Sequence, residues 1–442
     1  MKKPCRSFVF ILTLALPCVV FAQEKTDSVV TLKQCVDFAL KNQPAVKQAS
    51  IDQEINEKDI RIGLSAWLPQ VNTNGVYQHY FKGNPAAVAS DPALAASGVN
   101  INEYSALSLQ ASQVIYNNDV LQAAKAAKYS RLYYQQNTVS SRINVVSDVS
   151  KAFFDVLLSQ KDLDILNEDI VRLQRSLKDA YNRYQAGLVD KTDYKQATIS
   201  LNNSLAIRKQ TAEAINSKTA YLKQIMGLSA DHNLKLSYDS NHYVQEASID
   251  TNQMLDVNNR IEYRLLQTQR NLENVNVNYY KWGFLPSLSA NGEYDLYYLS
   301  NRFSTLYNNS IPSLFAGLTL NLPIFTGTKR LQNLSKAHLE VERTDLDIEN
   351  TKNTINTEYV QALAGYKSNY TNWILIKQNV DLAKDVYKVV SLQYREGIKT
   401  YLDVIVAQSD LQTAELNYYN ALFQLLSSKI DLEKSLGTLN VQ

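Results

Sequence analysis

The 442-residue chain is poor in chain breakers, with only 13 glycines and 9 prolines. None of either lies in 99–186, 188–226, 328–364, 366–396 or 398–436. Turns need these residues and helix interiors exclude them. A fold of many short elements is therefore excluded, and very long helices are expected. Cysteine is scarce too. Cys5 and Cys18 lie in the first 22 residues, leaving Cys35 alone, so no internal disulfide and no structural zinc is expected. Beyond those 22 residues no apolar run reaches the 18 or so residues of a membrane-spanning helix. Strong charge of either sign is also missing. The formal net charge is +2, and Lys2, Lys3 and Arg6 account for more than that, so a nucleic-acid partner is not expected. No Gly-rich phosphate loop, nucleophile elbow or helical His pair is present, and no catalytic constellation, cofactor or metal is expected.

The first 22 residues read as a secretory signal peptide. A basic start, the apolar run FVFILTLAL and the small-residue site Val20-Phe21-Ala22 follow in order. Lipidation at Cys18 is the weaker reading, because Ala15 and Pro17 stand where lipoprotein cleavage favours Leu and a small residue.

What is present is a duplication. RYQAGLVDKTDYKQAT at 183–198 returns as QYREGIKTYLDVIVAQ at 393–408. Tyr184/Tyr394, Gly187/Gly397, Asp193/Asp403, Leu222/Leu432 and Gly227/Gly437 share one offset of 210 residues. Two structural halves are implied, here divided as 23–228 and 251–442 with a polar linker at 229–250. In the first half an unbroken helix is expected from Asn117 to about Tyr184, a rod of about 100 Å. Leu166, Ile170, Leu173, Leu177, Ala180 and Tyr184 repeat in steps of four and three along it, a coiled-coil seam. Gly187 permits a turn, and a second helix runs from about Asp190 to Met226. The second half repeats the plan over 328–394 and 401–436.

Before each long helix the period changes from 3.6 to 2. In 285–298, Leu288, Ala290, Gly292, Tyr294, Leu296 and Tyr298 take one face, opposite Ser287, Ser289, Asn291, Glu293 and Asp295. The stretch 313–325 alternates likewise, and 68–81 and 104–116 do so at weaker contrast. Such strands suit a barrel facing lipid on one side and water on the other. Trp67 and Trp282 mark one aromatic girdle, and Tyr77, Tyr294 and Tyr298 the other. Four strands cannot close, and an open edge in lipid leaves backbone groups unsatisfied. Several chains must then share one barrel. The other reading is a soluble periplasmic coiled-coil scaffold or adaptor without a pore.

The ordered set of marks over about 31–439 resembles the TolC-type outer-membrane efflux factors. These marks are TLKQCVDFALKNQPAVKQA, the RY-x-x-G turn before an Asp-led helix in each half, and Leu-Pro-Ile-Phe-x-Gly at 322–327. The resemblance implies a homotrimer in the outer membrane of a Gram-negative bacterium. A twelve-stranded β-barrel would continue into a helical α-barrel crossing the periplasm, where a periplasmic adaptor and an inner-membrane transporter dock. It places the hairpin turns at the far tip. There Tyr184, Gly187, Leu188, Gly397 and Ile398 would contact the adaptor. Thr192, Asp193, Tyr394 and Lys399 would tie the closed aperture, Lys399 standing where the family carries Arg. Asp403 would form an inward acidic ring with raised pKa values, and Val406 stands where some members have a second Asp. Asp193 and Asp403 also suit helix N-terminal capping.

Overall fold

The computed structural model describes residues 29–82, 101–237 and 240–441. The expected signal peptide and Cys18 lie outside them. Among them, besides short 3-10 turns at Val257–Asn259 and Phe303–Asn308, fourteen α-helices and β-strands follow in order. They are β1 (Val29–Val30), α1 (Leu32–Asn42), α2 (Pro44–Ser65), β2 (Gln70–His79), β3 (Glu103–Tyr116), α3 (Asn118–Gln185) and α4 (Lys191–Met226). Then come β4 (Lys235–Leu236), α5 (Ser240–Glu246), α6 (Ile261–Trp282), β5 (Ser287–Ser300), β6 (Ile311–Asn321), α7 (Lys329–Arg395) and α8 (Tyr401–Leu436).

The two rods are α3, 68 residues, and α7, 67 residues. At the start of α3 the Asn117 side chain accepts from the Asp119 N–H at 2.7 Å, satisfying a donor the helix cannot. Each rod packs antiparallel against its partner, α3 on α4 and α7 on α8, and α3 also packs on α8. Along the α3 seam Leu166, Ile170, Leu173 and Ala180 are buried. The returning α8 buries Leu411, Leu422, Leu425, Leu432 and Leu436. Full burial of each such leucine stabilises by about 1.5–3 kcal/mol.

The shorter helices stack end to end. Gly227 closes α4 at φ 70°, and a Cβ there would stand 2.7 Å from the carbonyl oxygen of Asn42, just before α2. Gly437 closes α8 at φ 71° and meets the Asn259 oxygen, before α6, at the same 2.7 Å. Only glycine fits both the left-handed backbone and the approach. Each half thus offers one continuous column and one composite column, the duplication repeated at atomic scale.

Around these junctions sits the main core, including Phe153, Leu157, Leu222, Tyr366, Leu422 and Leu425. The described residues of the stretch 229–250, polar in sequence, fold onto it. Strand β4 pairs in parallel with β1, and α5 buries Tyr243. Beyond it the Tyr366 hydroxyl donates to the Ala247 carbonyl at 2.8 Å. Arg260 is the second half's own brace. Buried at the start of α6, it donates to the Ser435 carbonyl at 3.1 Å, to Glu358 at 2.7 Å and to Glu262 at 3.0 Å.

The four long strands form one antiparallel sheet in the order β2-β3-β5-β6. The registry aligns like with like. Leu288 faces Leu320, Ala290 faces Leu318, Tyr294 faces Leu314 and Leu109, and Leu296 faces Leu107. On the opposite face Asn291 donates to Thr319 at 2.7 Å, Gln110 donates to Glu293 at 2.7 Å, and Ser108 donates to Asp295. One side of the sheet is therefore apolar and open, the other a polar network. Strand β6 ends at Asn321 rather than running to 325. Pro323 lacks an N–H for a ladder, and Ile324 and Phe325 project at 90% and 86% exposure.

Candidate functional site: the double hairpin tip

The two turns have one geometry. In the first, the Gly187 N–H donates to Tyr184 at 2.9 Å and the Leu188 N–H to Arg183 at 2.9 Å. In the second, Gly397 donates to Tyr394 at 3.1 Å and Ile398 to Gln393 at 2.9 Å. The glycines lie at φ 72° and 76°. Each turn therefore presents one apolar knob, Leu188 and Ile398, both 72% exposed. Tyr184 stays beneath them, its ring 5.1 Å from that of Tyr194.

The returning helices are capped differently. Asp190 caps α4, accepting from the Thr192 N–H at 3.3 Å. On α8 the cap is a full box. Asp403 donates its N–H to the Thr400 hydroxyl at 3.4 Å, and its carboxylate accepts the Thr400 N–H at 2.9 Å and hydroxyl at 2.8 Å. Lys399 stands 3.5 Å from the same carboxylate. The Thr400 hydroxyl and N–H, and then Lys399, hold it below the usual carboxylate range. Asp193 goes the other way, raised by burial and by Asp190.

Tyr394 is buried and its hydroxyl has no partner among the described residues. Burial raises its pKa, with Asp193 and Asp179 adding to the shift and Arg183 opposing it. Among the described residues no hydrogen bond joins Thr192 or Asp193 to Tyr394 or Lys399. Tyr394 instead packs on Tyr401, ring to ring at 5.7 Å, with the Arg183 guanidinium 4.6 Å over its face. Arg183 also donates to the Arg395 carbonyl at 3.2 Å, tying the first turn to the second. Val406 is half-exposed on α8, one turn beyond Asp403.

Of a polar ladder on α3, the sequence reading picks out only Asp155, as a heptad partner of Asp148. Asp155, Asp162, Asp169, Ser176 and Arg183 fall at heptad intervals, the signal that could have revealed it. Asp155 accepts from Lys218 of α4 at 2.7 Å. Asp169 is 2% exposed and accepts from Ser204 of α4 at 3.1 Å and Gln408 of α8 at 2.8 Å. Ser176 donates to the Tyr401 hydroxyl at 3.1 Å. Burial pushes the Asp162 carboxyl up to about 6, Lys218 opposing and Asp155 assisting.

At the sheet, Tyr77 and Tyr298 lie level with each other on the apolar face near the end remote from the helices, whereas Tyr294 is on the same face at mid-strand, level with Leu109. Phe303 packs on Tyr77 at 5.6 Å and Tyr307 on Tyr298 at 5.1 Å. Trp67 and Trp282 flank the other end, where α2 and α6 meet the strands. Tyr297 points to the polar face instead, beside Tyr104. Among the described residues there is no cluster of metal ligands, and no helix is long and apolar enough to cross a membrane.

The outer membrane efflux protein family model matches residues 36–230 and 258–438, once per half. The chain is 22% identical to outer membrane protein TolC of Vibrio cholerae over 421 residues, 93% of this chain and 91% of that one. It is 23% identical to outer membrane protein TolC of Escherichia coli, over 93% of this chain and 83% of that one. The solved outer membrane channel CmeC of Campylobacter jejuni superposes with a TM-score of 0.76 at 18% identity, covering 98% of this chain and 94% of that one. These relatives are outer-membrane and channel proteins rather than enzymes. With a half-greasy sheet, paired long hairpins and both repeats matched, the chain belongs to the outer membrane efflux protein family and is an efflux channel of the outer membrane.

Proposed function

We propose that three copies assemble into one passive duct, gated at the periplasmic tip and without catalysis of its own. Four strands from each copy make a twelve-stranded barrel, and four helical columns from each make a twelve-column tunnel. An inner-membrane transporter supplies energy and substrate, and a periplasmic adaptor seats on the tip. The observation that carries this is the sheet. Among the described residues, strands β2 and β6 each have one unpaired edge, run antiparallel to each other, and border an apolar face lined by Leu107, Leu109, Leu314, Leu318 and Leu320. Pairing β6 of one copy with β2 of the next satisfies the backbone in lipid and preserves the antiparallel alternation.

At the tip, Asp403 lies at the entrance with its charge fixed by Thr400 and Lys399, and Val406 follows as an apolar ring. Tyr394, Thr192, Asp193 and Lys399 meet across hairpins in the closed state. Leu188 and Ile398, beside Tyr184, Gly187 and Gly397, are the adaptor's footholds. The test is conductance. The purified assembly in a planar bilayer should conduct weakly, and Asp403→Ala should raise its conductance. A correctly folded trimer that passes no current would reject the duct.

A further inference from the structure

The apolar face of the sheet outlasts its ladder. Past Asn321, the last residue of β6, the alternation of Leu318 and Leu320 continues through Leu322 to Ile324. Ile324 and Phe325 stand 90% and 86% exposed between the strand and α7. Trp282, Phe284 and Leu285, between α6 and β5, are exposed as well. Arg330 joins the two connectors. It donates to the Pro323 carbonyl at 3.1 Å, and its guanidinium lies 5.4 Å from the centre of the Phe284 ring. The Lys281 ammonium is 5.7 Å from the centre of the Trp282 ring, and Lys329, next in sequence to Arg330, is exposed. An apolar rim thus carries cations laid against its aromatic rings.

Charge at this level is one-sided, although the chain as a whole is nearly neutral. The sheet-side ends of α2, α3, α6 and α7 bring Arg61, Lys281, Lys329 and Arg330 against a single acid, Asp119. Arg61 has its own partner in Glu57 at 3.4 Å, and Asp119 is engaged by Tyr279. Among the described residues, Lys281, Lys329 and Arg330 pair with no carboxylate. The duplication shows how much of the rim a neighbouring copy covers. Val114-Ile115-Tyr116 in the first half stands in the place of Pro323-Ile324-Phe325 in the second. The first-half segment already has its neighbouring strand, with Tyr116 opposite Leu288 of β5. Even so, Ile115 stays 51% exposed and Tyr116 is only half-buried. A copy pairing with β6 as β5 pairs with β3 leaves Ile324 bare in the same way.

We propose that this rim binds anionic phospholipid of the periplasmic leaflet, with phosphatidylglycerol as the type. Ile324 and Phe325 enter the acyl chains, and Lys281, Lys329 and Arg330 hold the phosphodiester. Continuity with the lipid-facing wall supplies the apolar half of the argument. The unpaired cations supply the other half, since clustered Lys and Arg at a membrane surface attract anionic headgroups. Their long stems also let the charges reach headgroup level while lying along apolar surface. An aromatic girdle alone does not choose between headgroups, whereas this rim does. The inference rests on the reading of the sheet as a wall facing lipid.

The experiment uses the full-length assembly in vesicles of lipids brominated on the acyl chain, which quench an indole they touch. Trp67→Phe and Trp282→Phe clear the background, and Phe325→Trp is the reporter. Trp373 lies in the helical core and adds a constant signal. In mixtures, phosphatidylglycerol should occupy the reporter's site about fivefold more tightly than phosphatidylcholine. Adding Lys281→Gln, Lys329→Gln and Arg330→Gln together should bring the two lipids level, and a preference that survives in that variant overturns the site. Equal quenching by both lipids without those changes reduces the rim to a plain girdle and also overturns it. Leu318→Trp in the same background, at mid-wall, separates the two readings and should be quenched by both lipids alike. If it is quenched and Phe325→Trp is not, a neighbouring copy covers the rim, so the site falls and the wall stands; if neither is quenched, both fall. Should the triple variant not assemble, salt decides on the reporter chain. Raising it from about 0.1 M to about 0.5 M should shrink the preference toward parity, and a preference indifferent to salt sinks the proposal.

Discussion

Single residues in this protein behave according to where their polar ends can go. Cys35 is fully buried and its thiol is pushed up to about 12, so it is chemically inert in the folded chain. Asp162 is the counterpart among the acids, with a carboxyl oxygen buried and unpartnered. Its pKa is raised in the folded state to about 6, so the folded chain binds its proton more tightly than the unfolded chain does. The penalty is therefore present above pH 6 and relieved as pH falls from about 6 toward 4. Asp162→Asn should melt higher than the parent at pH 7.5, and the gap should close by pH 4.5. Melting curves at the two pH values check this, and a pH-independent gap would contradict it. Asp403 is the opposite case, with Oδ2 engaged twice by Thr400 within its own turn and Oδ1 beside Lys399.

At the scale of elements, the glycines divide by neighbourhood rather than by backbone angle. Gly397 and Gly437 share a left-handed φ, 76° and 71°, but only Gly437 has a carbonyl at 2.7 Å from where a Cβ would sit. Gly397→Ala should cost about 1 kcal/mol of backbone strain. Gly437→Ala should cost about 2 kcal/mol or more, since the α8–α6 junction must also part. Denaturant melts of both variants test the order, and equal losses would refute the stacking argument. Helix ends were legible in the sequence because breakers are so rare. The structure runs α8 over Tyr401–Leu436 and starts and stops α3 within a residue of the expected bounds. Strand ends were less legible, because alternation continues through Leu322 and Ile324 while Pro323 has already ended the ladder. The stretch 229–250 defied its composition. Among its described residues a few apolar anchors, Tyr243 and Ala247 among them, are buried, and backbone pairing of β4 with β1 and hydrogen bonds to Tyr366 hold it beside them. Beyond Asp155 the polar ladder went unseen because apolar periodicity was the signal sought, and Asp169 obeys the same heptad as its apolar neighbours. Whether Thr192 or Lys399 bridges hairpins depends on neighbours in an assembly, which one chain's sequence does not order.

On the scale of the whole molecule, apolar surface is left uncovered along the rods as well as on the sheet. Leu339, Leu346, Val360, Leu382 and Val389 lie exposed on α7, most at heptad intervals, and Ile199 and Ile207 on α4. A lone soluble scaffold would leave these wet, whereas a ring of copies covers them. The free edges β2 and β6 carry a consequence of their own. They are unlike, so each copy has a left hand and a right hand, and the ring closes only head to tail. A copy blocked on one side can still clasp a healthy neighbour and spoil it. Equal amounts of normal chains and chains with a proline in the β6 edge, Leu318→Pro, if mixed at random in threes, should leave only about one-eighth of rings free of the defect. Efflux assayed in co-expressing cells should then drop far below half, and a simple halving would show that copies do not depend on one another. Inheritance of such a defect would be dominant, an outcome written in nothing more than a sheet with two different hems.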